Sequence, residues 1–191
     1  MTKPEARAET DPWRVPVMVD HIPDTGLHRK IEASAREREA VAELAGLREI
    51  LSAKASFDVT PRSGGRVQVA GRVQARVGQT CVVTLDPIES EIDEKIDLTF
   101  APEAEVRRLA DLIEEGRDTD ETGAVEVPDP PEAIVNGIID LGRIATDALF
   151  LGIDPYPRKP GAMFEAEVTA PDPEDHPFAA LKALRDKPGG S

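Results

Sequence analysis

The sequence predicts an α+β fold: an antiparallel β-meander, as a curled sheet or partial barrel, covered by helices, with an acidic insertion and a Pro-rich C-terminal tail. Three observations predict it. Apolar residues occupy alternate positions through much of residues 51–100, the period of a strand with one buried face. Short clusters containing Gly, Pro, Ser or Asp separate these runs, as turns do. Two flanking stretches carry apolar residues at helical spacing and supply the cover that a one-faced sheet needs.

Taken in order, residues 1–12 have the composition of a disordered terminus. Trp13 to Val19, with Val15, Val17 and Val19 on one parity, reads as a first strand, and Asp24-Thr25-Gly26 breaks it. Ser34 followed by Glu37 has capping-box spacing. Val41, Leu44, Ala45, Arg48 and Leu51 continue a helical stripe with Leu47 beside it, so a helix is expected from about 34 to 48. In the meander, Leu51, Ala53, Ala55, Phe57 and Val59 alternate in one strand. Val67, Val69, Val73, Ala75 and Val77 do so in the next, beyond Ser63-Gly64-Gly65. Thr80 to Leu85 is a short β-branched and apolar run that reads as a third strand and holds the only cysteine, Cys81. Asp86-Pro87 turns the chain into a fourth, with Ile88, Ile92, Ile96, Leu98 and Phe100 on even positions.

Val106, Leu109, Leu112 and Ile113 then predict a short amphipathic helix ended by Gly116, and Val125 and Val127 a short strand before Asp129-Pro130-Pro131. Asp140 caps a run in which Leu141, Ile144, Ala145, Ala148 and Leu149 share a helical face, stopped by Asp154-Pro155. This helix is the best candidate to cover the sheet. From Tyr156 the chain is Pro-rich and polar apart from HPFAALKALRD at 176–186, where Pro177 suits a first helical turn and Phe178, Leu181 and Leu184 share a side. Such a piece either docks on its own domain or recognises a partner. The expected organisation is a terminus at 1–12, one domain at 13–155 with the insertion at about 101–132, and a tail at 156–191.

Composition narrows the function. The chain has 191 residues, 4% aromatic, with 17 Pro and 14 Gly, which allows a Val, Ile and Leu core but disfavours a large multi-layer enzyme. One cysteine excludes an internal disulfide framework and a Cys-rich zinc site. With no apolar signal core and no span-length stretch, a soluble, cytoplasmic protein without a membrane partner is expected. The formal net charge is -14, and residues 101–132 carry eleven acidic residues against three arginines. That run reads either as a solvated insertion or as a surface for a basic protein.

Motifs for chemistry are missing. The sequence has no phosphate-cradling Gly-rich loop, no HExxH, no GxSxG and no CxxC. His21, His28 and His176 stand far apart and suit exposed turns better than a metal or a catalytic base. Cys81 in an apolar strand suits an inert core position better than a nucleophile. Glu89, Glu91 and Asp93 read as the wet side of a hairpin. No catalytic residue, cofactor, metal or small-molecule substrate is expected.

One arrangement points to a ligand. Arg66, Arg72 and Arg76 share the parity opposite to the valines of their strand, with Arg62 extending the row, and Arg158-Lys159 form a second basic cluster beside Tyr156. Guanidinium groups in a row can hold successive phosphates. Alternatively, they pair with Glu89, Glu91 and Asp93 on a neighbouring strand.

The segments QTCVVTLDPIESEIDEKIDLTF, IDLGRIATDALFLGIDPYPRKPG and HPFAALKALR, with the opening DPWRVPVMVDHIPDTGLHRKIEASAREREAVAEL, resemble the YceD family, the large ribosomal RNA subunit accumulation proteins, in its alphaproteobacterial form. The resemblance covers nearly the whole chain except the acidic insertion. It implies a non-enzymatic factor that supports 23S ribosomal RNA accumulation and large-subunit synthesis or assembly, with 23S rRNA or a pre-50S particle as partner. Many members place CxxC where this chain has Cys81, Val82, Val83 and Thr84, so a zinc site of that kind is not expected here. Two mechanisms follow. The chain binds rRNA through Arg66, Arg72, Arg76, Arg158 and Lys159, or it holds a basic ribosomal protein through residues 101–132 and the terminal helix. A thiol enzyme acting through Cys81 is a distant third.

Overall fold

The computed structural model describes residues 11–117 and 130–163. Contacts divide the chain after Lys159, and of the second unit only the turn at 160–163 is described. In chain order the first unit contains β1 (Pro16–Met18), β2 (Leu27–Glu32), α1 (Ala35–Ala45), β3 (Glu49–Pro61), β4 (Val67–Thr80), β5 (Pro87–Pro102), α2 (Glu103–Arg117), β6 (Glu132–Ile134), β7 (Ile138–Asp140) and α3 (Leu141–Leu151). Strands β2 to β6 make one sheet in sequence order, antiparallel except for the parallel β5–β6 pair, while β1 and β7 form a separate antiparallel pair. The α+β class and the mainly antiparallel sheet are as expected. The sheet does not close into a barrel, because β2 and β6 remain as its edges.

Alternation in the sequence becomes a buried face. Ala53, Ala55, Phe57 and Val59 of β3, Val67, Val69, Val73, Ala75 and Val77 of β4, and Ile92, Ile96 and Phe100 of β5 all face the core. Helix α1 packs on β3, and α3 lies across β4 and β5. The five apolar positions predicted for the α3 stripe, Leu141, Ile144, Ala145, Ala148 and Leu149, are all buried, each large one stabilising by about 1.5–3 kcal/mol. Asp140 caps α3 through Oδ1, which accepts from the backbone N–H groups of Gly142 at 3.1 Å and Arg143 at 3.3 Å. The same oxygen accepts from Val15 N–H at 2.8 Å. One carboxylate thus starts the helix and fastens the N-terminal segment, where Trp13 is 1% exposed. Only glycine fits at 142, since a Cβ there would run into the Trp13 carbonyl.

Several expectations are corrected. The third strand, Thr80 to Leu85, is a turn: β4 runs to Thr80, β5 starts opposite it at Pro87, and the six residues between reverse the chain. Cys81 N–H donates to the Asp86 carbonyl, Leu85 N–H returns to the Cys81 carbonyl, and Leu85 takes a φ of 62°. The fourth meander strand is instead β2, an edge whose pattern is blurred by charge. Helix α1 has the predicted capping box of Ser34 and Glu37, but it ends at Ala45 rather than 48. Gly46 adopts a φ of 65° there, and Leu47 N–H closes back on the Ala42 carbonyl. Its buried residues are Val41 and Ala42, while Leu44, assigned to the stripe, is exposed. The first strand shrinks to Pro16–Met18, pairing with β7.

Helix α2 covers the predicted 106–113 run and starts at Glu103, and β5 extends to Pro102 before it. The strand expected at Val125 and Val127, the terminus at residues 1–10 and the amphipathic piece at 176–186 lie outside the described residues.

Candidate functional site

The outer face of the sheet is set by the register. One cross-strand row reads Lys30, Ser56, Arg72, Lys95, and the next reads Glu32, Lys54, Gln74, Asp93. Arg72 and Arg76 project from this face and are exposed, as their parity predicts. Arg66 falls one residue before β4. Each of the three meets a carboxylate. Arg72 Nη1 donates to both oxygens of Asp93 at 2.8 Å, Arg76 pairs with Glu89, and Arg66 pairs with Glu105 at the start of α2. The Arg66 partner has a reciprocal effect: the hydrogen bond from Arg66 holds the Glu105 carboxyl below its ordinary range, while Glu105 raises the guanidinium. Of the three partners, Asp93 and Glu89 were anticipated from the sequence, and Glu105 was not.

Arg158 and Lys159 are at the other end of β4. Pro157 accepts from Val82 N–H at 3.0 Å, and Lys159 Nζ meets Asp86 at 3.0 Å, so this segment is stitched to the β4–β5 turn. Among the described residues no carboxylate pairs with Arg158, whose side chain is exposed. Because β4 has 14 residues, ~3.3 Å apart in a strand, the predicted cations are spread along ~45 Å from Arg66 to Lys159 and do not converge.

Cys81 is fully buried in that same turn. Its Sγ accepts from Lys159 N–H at 3.3 Å and from Thr84 N–H at 3.5 Å. These donors, Lys159 first and Thr84 second, stabilise the thiolate and lower the thiol from an ordinary 9.0 to about 6. A metal held by a CxxC pair does not fit, because position 84 offers a hydroxyl already shared with Asp86 at 3.1 Å. Among the described residues no group of three or more His, Cys, Asp or Glu side chains is placed to hold a metal ion, and no helix is long and apolar enough to cross a membrane.

A feature that the sequence reading missed lies on the opposite side of β5. A groove of about 430 Å³ opens between β5, the β6–β7 segment and α3. Ile96, Leu98, Ile144 and Ala148 line it, and Val135, Ile138 and Leu151 stand exposed at its mouth. The one available signal was the run LFLG at 149–152, which continues apolar past the buried stripe of α3.

No curated protein and no solved structure gives a significant match. The family model described as Large ribosomal RNA subunit accumulation protein YceD matches residues 69–185, from β4 through α3 and onward. With that match covering more than half of the sequence, the chain belongs to the YceD family.

Proposed function

We propose that this protein supports accumulation of 23S rRNA as a non-enzymatic cytoplasmic factor acting on the immature large subunit, and that it engages that particle through a protein component. The family description connects it with large-subunit ribosomal RNA accumulation. The observation favouring a protein contact is the pairing of Arg66, Arg72 and Arg76 with Glu105, Asp93 and Glu89. Binding to phosphate would have to displace those carboxylates within a chain of net charge -14, whereas the counterion-release gain needs cations that are free to approach phosphate.

Direct rRNA binding is the second reading, and a specific observation favours it. Lys30, Arg72 and Lys95 fall on one cross-strand row, and Arg158 lacks an acidic partner among the described residues. Crosslinking in cells, with bound RNA and bound protein identified separately from the large-subunit fractions, decides between them. The protein reading expects crosslinks to a ribosomal protein that survive the triple change Arg66→Ala, Arg72→Ala, Arg76→Ala. Strong 23S crosslinks abolished by the triple change would overturn it in favour of the arginine face.

A further inference from the structure

We infer that the groove between β5, the β6–β7 segment and α3 receives a basic amphipathic helix of a partner protein. The inference rests on the protein-contact reading above and adds the place and the chemistry of the contact. Ile96 and Ile144 on the floor are almost wholly buried, while Val135 and Leu151 at the mouth are 51% and 85% exposed. Large apolar side chains grouped at the rim of an apolar cleft mark an interaction surface more than a solvated one. A cleft of this volume could hold a small molecule, but such sites orient their ligand with converging buried polar groups. Among the described residues the one buried side-chain atom without a hydrogen-bond partner is Gln79 Oε1, and Gln79 is not part of the groove.

Charge selects the partner. The lining carries five carboxylates against Arg14, Lys95 and Arg143, and two of those cations are already engaged. Arg14 Nε lies 3.4 Å from Asp140, and Arg143 Nε lies between Asp11 at 3.9 Å and Asp147 at 3.7 Å. Glu132 on β6 has no cationic partner among the described residues, while Asp97 at the β5 edge of the groove turns its carboxylate to the outer face, where it accepts from the Gln68 amide. An apolar trough with unspent negative charge on its wall matches a helix with Leu-type residues at i, i+3, i+4 and i+7 and Lys or Arg beside them.

The test uses the full-length protein and three synthetic 18-residue peptides: a Leu/Lys amphipathic helix, its scrambled isomer of equal charge, and a Leu/Glu twin. Fluorescence anisotropy is expected to show the Leu/Lys helix binding at least tenfold tighter than either control. Leu151→Glu with Val135→Glu should remove that preference, and the exposure of both sites means the thermal midpoint should stay within a few degrees. Methyl NMR of the wild-type protein gives a second readout: peptide addition should shift Ile96, Ile138 and Ile144. Equal binding of all three peptides, or shifts confined to other regions, would overturn the inference. A wild-type dimer dissociated by Leu151→Glu would make the groove a surface for a second copy. Competition of a 23S rRNA fragment for the same methyls would make it an RNA surface. Either result replaces the proposed occupant. These measurements need no ribosome, so the groove stands or falls separately from the crosslinking that tests the function.

Discussion

Replacing Asp140 with alanine is expected to destabilise the protein by about 2–5 kcal/mol, and the structure divides that figure. Loss of the N-cap, with the α3 donors at Gly142 and Arg143 unanswered, costs about 1 kcal/mol. The partly buried Val15 N–H loses its acceptor at 2.8 Å, which adds about 1–3 kcal/mol. The Arg14 contact at 3.4 Å is exposed on the arginine side and adds no more than about 1 kcal/mol. For a chain of this size each kcal/mol lowers the melting temperature by about 2–4 °C, so a drop of roughly 4–20 °C is expected. Asp140→Asn separates the contributions, because its oxygen can still cap α3 and receive Val15 while the ion pair is lost; it should lie within about 1 kcal/mol of wild type. Urea unfolding followed by circular dichroism measures both. An alanine variant within about 0.5 kcal/mol of wild type, or an asparagine variant as unstable as the alanine one, would refute the clasp reasoning.

Gly142→Ala sets two effects against each other: helix propensity favours alanine by about 1 kcal/mol, while the collision with the Trp13 carbonyl opposes it by about 1–3 kcal/mol or more. Net destabilisation and an exposed Trp13, seen as a red-shifted emission, are expected; a more stable variant would contradict the packing. The Cys81 thiol titrates near 6 when folded against an ordinary 9.0, so between these values the unfolded chain holds the extra proton and stability rises with pH. Its contribution is present above about 9 and lost as pH falls through about 6, and Cys81→Ser should flatten the difference in urea midpoint between pH 6 and pH 9. An identical pH slope in the variant would count against the thiolate. Arg72→Ala removes an exposed pair with Asp93 and should shift stability by under about 1 kcal/mol; a larger loss in thermal unfolding would show that the face has a structural role.

Legibility in the sequence followed how locally each feature is determined. Strands β3, β4 and β5 could be read because Ala53 to Val59, the valines from Val67 to Val77 and the large apolar residues from Ile88 to Phe100 each keep to one parity, and α3 because its stripe and Asp140 cap lie within one stretch. The turn at 81–86 was misread because Thr80, Val82, Val83 and Thr84 have strand composition, and tertiary pairing of Thr80 with Pro87 overrode it. Strand β2 was missed because Leu27 and Ile31 are separated by His28, Arg29 and Lys30, charges suited to an edge. Pairing of Arg72 and Arg76 with β5 carboxylates could be anticipated from parity alone. The groove could not, since Ile96, Val135 and Leu151 come from three elements that only the folded chain brings together.

The clasp of β1 on β7 has a consequence for synthesis on the ribosome. Residues 16–18 must wait for residues 138–140 before they can pair, and the apolar side of β3 to β5 must wait for α3, which begins about forty residues after β5 ends. During that interval a hairpin made of local contacts can already form, yet its inner surface is open to other nascent chains. Closure therefore waits until the first and last elements of the unit meet, and a stalled chain released between Ile134 and Leu141 would carry all five strands of the sheet without α3 over β4 and β5.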